Sequence, residues 1–510
     1  MVQGVLARGV AAALCVEGAF YCWGVKQRRA LSVQLPRYDD PQFAPSGLPY
    51  VEPKRRRDVR RLMAAEFGVA TEGAKATTPE RGKRWVSGWF FDRPYSEIDR
   101  EKVRKWVAWA WFNVKHVDEM SEAEAAEVEA DIRAIEAATG EAFPPPSDAP
   151  SDAAPPPLPK SSSLFCMRPN VDKTSPFHGH KPIAIYFLTQ FVIGYVKGRR
   201  VLSELGFERS TIKIDKTDIG TGRTASKFSY WHRPPPSGSD AAAAERAPIV
   251  LFHGIGMGWG FSYPKFVRDV VARADAAGGR PILAVELPHI ALSVPSNYGP
   301  SPADAVSATE TMIRRHSKSD RADFFGHSYG TVAVAHVLKQ RPDLVRSAAL
   351  TDPVCVGAYR ATLCRTFLYE PDVGALKGGV KGVVGKIKGW LLHADPRLVG
   401  VLMRNFIWFE NVLWLDEEVD AQAPQPRAGA PTDSASSEVA LFIAENDRYI
   451  DGPIIYDDAR TAVERRREQP QPARGRKLLA TLWEDQDHGE WLGKAEQRKD
   501  VIDVLLRQEL

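Results

Sequence analysis

The chain has 510 residues, 44% hydrophobic and 26% charged, with a net charge of +4. That length suits one large domain with appendages or two to three domains, and the composition is that of a globular core. So small a net charge gives no ground for nucleic-acid binding, and five cysteines without CxxC pairing or metal-ligand spacing favour reduced thiols in an intracellular compartment over a disulfide framework.

Residues 9–25, GVAAALCVEGAFYCWGV, are apolar apart from Glu17, with Arg8 before them and KQRR (26–29) after. The run lies at the lower limit for a spanning helix, and a glutamate inside it is costly in hydrocarbon. We expect residues 1–30 to form a membrane anchor or interfacial helix, with Tyr21 and Trp23 at headgroup level and the basic residues on the cytosolic side. A buried amphipathic helix is the alternative. No small-residue cleavage site follows, against a removable signal peptide, whereas mitochondrial targeting stays open because the first acidic residue is Glu17.

Residues 31–143 read as an accessory region. A basic Pro-rich tether spans 36–61 and includes KRRR (54–57), which suits a solvated segment or contact with anionic lipid. In the aromatic stretch 84–112, Val103, Trp106, Val107, Ala110 and Trp111 recur at helical spacing after a start near Ser96 and Asp99. This predicts a Trp-rich helix packed on the main domain, with membrane attachment as the alternative. Residues 120–140 predict an exposed acidic helix ending at Gly140, and 144–163 a disordered linker. In the segment 164–207, the apolar run 183–196 predicts either a core helix or a second membrane-facing helix.

From residue 208 the pattern changes. Short runs at 211–219, 226–232, 248–254, 281–287, 322–328, 346–352, 438–445 and 477–484 predict eight strands, with helical patterns between most of them. Strands buried on both faces and alternating with helices predict an α/β fold: a doubly wound, mostly parallel eight-stranded sheet with its site at the strands' carboxyl ends.

After the fifth strand, Gly326-His327-Ser328-Tyr329-Gly330 reads G-x-S-x-G in strand-turn-helix context. A sharp turn would force Ser328 into unfavourable backbone angles, and side chains two residues either side would collide. HGIGMGWG (253–260) follows the third strand, where glycines let backbone N–H groups reach a developing oxyanion. We assign that role to the N–H groups of Ile255 and Tyr329, with Gly256 the alternative to Ile255. Asp447 follows the seventh strand, with Glu445 and Asp451 as nearby competitors and Asp352, after the sixth strand, as a rival acid. His488 follows the eighth, so nucleophile, acid and base come in the order Ser, Asp, His; His253 and His327 are expected to support the turns.

HGIGMG, GHSYG, AENDRYI and DQDHGEWL together make residues 208–510 resemble the α/β-hydrolase fold superfamily, in its serine esterase and lipase branch. The whole pattern also resembles uncharacterised membrane-anchored eukaryotic members of that superfamily. The resemblance implies ester hydrolysis through an acyl-enzyme on Ser328, with His488 moving the proton and Asp447 fixing its tautomer, and with no metal or organic cofactor. An acyltransferase using the same acyl-enzyme and an inert scaffold at a membrane are the alternatives; no H-x-x-x-x-D occurs at any of the eleven histidines. A cap or lid insertion is expected at 356–436, with a basic amphipathic segment at 380–392 suited to a membrane interface and aromatics at 404–415 suited to an acyl pocket or to cap core. The expected partners are a hydrophobic ester, glycerolipid first, and a membrane lipid surface, with the catalytic domain in the cytosol.

Overall fold

The computed structural model describes residues 2–31, 37, 52–68, 78–146, 165–172, 181–214, 226–239, 243–291, 300–369, 395–404, 406–415, 418–419, 437–468 and 476–507. The basic segment 380–392 and all but the first residues of the expected linker 144–163 lie outside these.

Eight strands form one sheet: β1 (Glu208–Ile214), β2 (Ser226–Arg233), β3 (Ile249–Phe252), β4 (Ile282–Val285), β5 (Ala322–His327), β6 (Val345–Thr351), β7 (Glu438–Ala444) and β8 (Lys477–Trp483). Their order is β1-β2-β4-β3-β5-β6-β7-β8. β2 pairs antiparallel with β1 and β4, and every other pair is parallel. β3, β4, β5, β6 and β7 are buried along their whole length. Side chains alternate between two cores, as the pleat requires. Val250, Phe252, Phe324 and Leu350 face one, while Ile249, Leu251, Phe325 and Ala349 face the other.

Helices cover both faces. On the first lie α9 (Pro302–His316), capped by Ser301, and α10 (Tyr329–Gln340), while α8 (Pro264–Ala276) and the C-terminal helix Ala495–Leu506 cover the second. The order of β5, β6, β7 and β8 decides the site, because four successive carboxyl ends open side by side along one edge of the sheet.

In the N-terminal region the Trp-rich helix packs on the main domain, while part of the expected solvated tether is helical. Of the earlier helices, α1 spans Val2–Leu31, α2 Glu52–Phe67, α3 Pro79–Trp89, α4 Arg100–Phe112 and α5 Glu122–Thr139. Residues 52–61 of the basic segment, KRRR included, are thus helical, because partners elsewhere in the fold take up their charge, while 38–51 lie outside the described residues. Arg55 pairs with Glu127 on α5 at 2.7 Å, Arg61 with Glu418 at 3.1 Å, and Lys54 with Glu410. Asp99 caps α4, accepting from Lys102 N–H at 2.9 Å, and Asn113 ends it at φ 57°. Trp85, Trp89, Trp106, Trp109 and Trp111 are buried in the same core as β3 and β5, so the Trp-rich stretch faces protein rather than lipid. The acidic helix α5 is half-buried rather than exposed, contributing Val128, Ile132 and Ile135 to that core.

The apolar run 183–196 forms α6 (Ile183–Tyr186) and a π-helical segment, Phe187–Lys197, continued by α7 (Gly198–Glu204). Much of it is exposed. Among the described residues, no helix is long and apolar enough to cross a membrane.

Candidate active site

Ser328 occupies the turn between β5 and α10 with φ 54° and ψ −123°. For a residue with a Cβ this is a strained backbone, the kind that persists only where its surroundings enforce it. The surroundings do so by contact. A Cβ on Gly330 would stand 2.4 Å from the Phe252 carbonyl oxygen, and one on Gly326 would stand 2.8 Å from that of Gly330. Ser328 N–H donates to Thr351 O at 3.0 Å, and the Ser328 carbonyl accepts from the Thr331 hydroxyl at 2.6 Å.

His488 Nε2 lies 2.8 Å from Ser328 Oγ, and its Nδ1 lies 2.6 Å from Asp447 Oδ2. The other carboxylate oxygen of Asp447 accepts from the N–H groups of Tyr449 at 2.8 Å and Ile450 at 3.2 Å. Both oxygens are therefore used, and the carboxylate plane is fixed. Burial raises the Asp447 carboxyl above its ordinary range, against the lowering effect of His488. The competitors are engaged elsewhere: Glu445 accepts from Asp485 N–H at 2.9 Å, and Asp451 pairs with Arg84 at 3.0 Å. Tyr449 packs edge-on against the His488 ring at 4.8 Å.

The rival acid, Asp352, lies beside this chain rather than in it. Its Oδ2 accepts from Gly489 N–H at 2.7 Å and from His327 Nε2 at 3.2 Å. Gly254 N–H donates to the Tyr263 hydroxyl at 2.7 Å, and that hydroxyl lies 2.6 Å from His327 Nδ1. Because Asp352 only accepts, the imidazole proton of His327 sits on Nε2, and Tyr263 donates to Nδ1. A continuous path thus joins the Gly-rich loop to the residue after His488. Burial acts to raise the Asp352 carboxyl, but the bond from His327 and the nearby His488 outweigh it and hold the group below the usual range. His253 spans its own turn, bonding Gly254 O at 2.8 Å and Leu287 N–H at 3.1 Å, and burial lowers its pKa to about 4. Ligand atoms of His327, Asp352 and His488 fall within 4.8 Å of one another, but they are paired among themselves and with Ser328 and Asp447.

Tyr263 and the network through Asp352 escaped the sequence reading. Nothing local marks Tyr263, because its partner His327 is 64 positions away. The Gly-rich loop approaches Ser328 closely enough that a Cβ on Gly254 would lie 2.8 Å from the Ser328 Cβ. Gly256 N–H is taken by Ile290 O at 3.1 Å, which leaves Ile255 rather than Gly256 as the donor available from this loop. Tyr329, the first residue of α10, has an N–H that the helix itself cannot satisfy. Beside Tyr329 lies a cavity of about 60 Å³ lined by Leu287, Val332, Val401 and Phe406, with the unpaired Nδ1 of His289 buried at its wall. In the aromatic run 404–415, Phe406 and Ile407 line this cavity, while Phe406, Trp408 and Val412 are core.

No curated protein matches the chain. Among solved structures it is similar to a carboxylesterase from Bacillus subtilis, at 15% identity over 62% of this chain and 97% of that one, with a TM-score of 0.34. It is similar to a monoacylglycerol lipase from Paleococcus ferrophilus at 17% identity over 55% and 99% of the two chains, TM-score 0.33. It is also similar to a membrane phospholipase A described as a bacterial virulence factor, at 14% identity over 64% and 94%, TM-score 0.37. Residues 249–504, half of the sequence, match the Alpha/beta hydrolase family, and the chain belongs to that family.

Proposed function

We propose that the protein is a serine hydrolase of hydrophobic carboxylic esters, working at a membrane surface on the cytosolic side. The observation that carries this reading is the unbroken hydrogen-bonded line from Ser328 Oγ through His488 to Asp447, at 2.8 and 2.6 Å. In the first step Ser328 Oγ attacks the ester carbonyl carbon while its proton passes to His488 Nε2. The carbonyl oxygen becomes an oxyanion facing the N–H groups of Ile255 and Tyr329, each donor worth roughly 10²–10³ in rate. His488 then protonates the departing alkoxide, leaving an acyl-enzyme. Water attacks the acyl carbon, giving its proton to His488, and the carboxylic acid leaves as Ser328 regains its proton. Asp447 holds Nδ1–H toward itself, so that Nε2 is the basic nitrogen.

Apolar side chains left exposed on α1 and the π-helical segment support the membrane setting, and the five unpaired cysteines support a reducing compartment. The test is hydrolysis of a series of p-nitrophenyl esters of increasing chain length by the wild type and Ser328→Ala. We expect Ser328→Ala to lower kcat on the order of 10⁴-fold or more. Equal rates would overturn the reading. An added alcohol acceptor that captures most of the acyl group would make the enzyme a transferase instead.

A further inference from the structure

Every large apolar side chain that stays exposed among the described residues lies on α1, on α6 and the π-helical segment, or at Phe261 beside it. Leu14 is 67% exposed, Phe187 60% and Phe191 49%. Scattered exposed leucines need no explanation, but a contiguous apolar face of this kind marks an interaction site. The two helices are joined: Ile183 N–H donates to Glu17 Oε2 at 2.9 Å, and Phe20 meets Tyr186 edge-on at 5.2 Å. Glu17, which argues against a spanning helix, thus serves as the joint between them. Along the π-helical segment Phe187, Phe191 and Tyr195 stack in a ladder, with centroid separations of 5.1 and 5.9 Å. Lys197, Arg199 and Arg200 follow at its end, all exposed, and Lys26 is exposed on α1; Arg200 pairs with Glu204 at 2.7 Å.

The face also reaches the reacting serine through a single loop. Its first glycine, Gly254, abuts Ser328, and its last, Gly260, abuts the helix: a Cβ there would lie 2.6 Å from Ile193 O and 2.7 Å from Gly198 Cα. Between helix and loop is a cavity of about 400 Å³, with Phe191 and Tyr195 on one wall and Met257 and Gly258 on another.

We infer that α1 and residues 183–200 dock on an anionic lipid bilayer, seating the Gly254–Gly260 loop at the surface from which the ester is drawn. The inference deepens, and for substrate delivery rests on, the ester-hydrolase reading. A bilayer is the occupant that matches an apolar strip with aromatic rings and a basic border, since acyl chains take the first and anionic headgroups the second.

The test is flotation of the full chain with vesicles of phosphatidylcholine alone and of phosphatidylcholine mixed with phosphatidylserine. The wild type is expected to float with the mixed vesicles, less with the neutral ones, and less again at high salt. Phe187→Ser/Phe191→Ser/Val196→Ser and, separately, Lys197→Glu/Arg199→Glu should each weaken partitioning about tenfold or more. Each should slow hydrolysis of a vesicle-borne ester while leaving the Tm and the hydrolysis of a soluble short-chain ester unchanged. Absence of wild-type binding to either vesicle, or undiminished binding by both variants, overturns the proposal. A wild-type dimer that the serine variant turns into a monomer, without vesicle binding, overturns it in favour of a second copy on this face. Vesicle binding with no esterase activity on any substrate upholds the docking surface and sinks the hydrolase reading instead.

Discussion

Ser328 is held at φ 54° because Gly326 and Gly330 let the chains around it close to distances no side chain would allow. Replacing Gly330 with alanine puts a Cβ against the Phe252 carbonyl, which is backbone and cannot swing away. We expect a loss of at least about 2 kcal/mol in urea denaturation together with loss of activity; an alanine variant of native stability would show that the turn relaxes. Asp447 and Asp352 are separable by the same logic. Asp447→Asn should lower kcat on the order of 10³–10⁴-fold by stabilising the wrong tautomer of His488. Asp352→Asn, which only loosens Gly489 and His327, should cost about a hundredfold less than that. A larger loss for Asp352→Asn than for Asp447→Asn would mean that Asp352 serves as the acid. Ser328, Asp447 and His488 were legible in the sequence because each directly follows its own strand in a fixed order. The Tyr263–His327–Asp352 path was not, because its bonds exist only once β3, β5 and β6 are neighbours.

At the level of elements, α10 couples the Ser328 turn to residues 407–411, within the expected cap insertion. His336 on this helix bonds Asn411 Oδ1 at 2.8 Å, and Asn411 Nδ2 in turn donates to Ile407 O at 2.7 Å. Burial, with Lys339 nearby, lowers the His336 pKa from 6.5 to about 3. The folded state thus keeps the imidazole neutral where the unfolded chain takes up a proton. The stability it contributes is fully present above about pH 6.5 and is lost as pH falls toward 3. His336→Asn should flatten this dependence by up to about 1.4 kcal/mol per pH unit between pH 6 and 4, read from urea midpoints at constant m. Parallel pH curves for variant and wild type would contradict the burial argument. The eight strands were legible from their short branched and aromatic runs. The α2 helix was not, because a basic Pro-flanked segment looks solvated until Glu127, Glu410 and Glu418 are known to face it.

Over the whole molecule, helices α2–α5 and the sheet share one core. Glu66 on α2, fully buried, is bound by Arg81 on α3 and by Arg360 at 2.7 Å, and both arginines also hold Asp458 on the helix Gly452–Glu468. Trp111 meets Phe409 edge-on at 5.5 Å, and Trp85 Nε1 donates to Tyr359 O at 3.2 Å. Each buried indole removes about 200 Å² from water, on the order of 5 kcal/mol before ordering costs. A chain starting at residue 181 should therefore be insoluble or lack a cooperative melt; a soluble, active 181–510 fragment would contradict the shared core. Sequence periodicity could identify the Trp-rich helix but not the surface it packs on, since both alternatives bury the same stripe. For the full chain, reaction with a fluorophosphonate ester probes one atom, Ser328 Oγ. We expect one phosphonyl adduct per folded chain, located at Ser328 by mass spectrometry, absent in Ser328→Ala and strongly slowed in His488→Ala. No adduct on folded wild type, or undiminished labelling of Ser328→Ala, would contradict the serine-hydrolase reading.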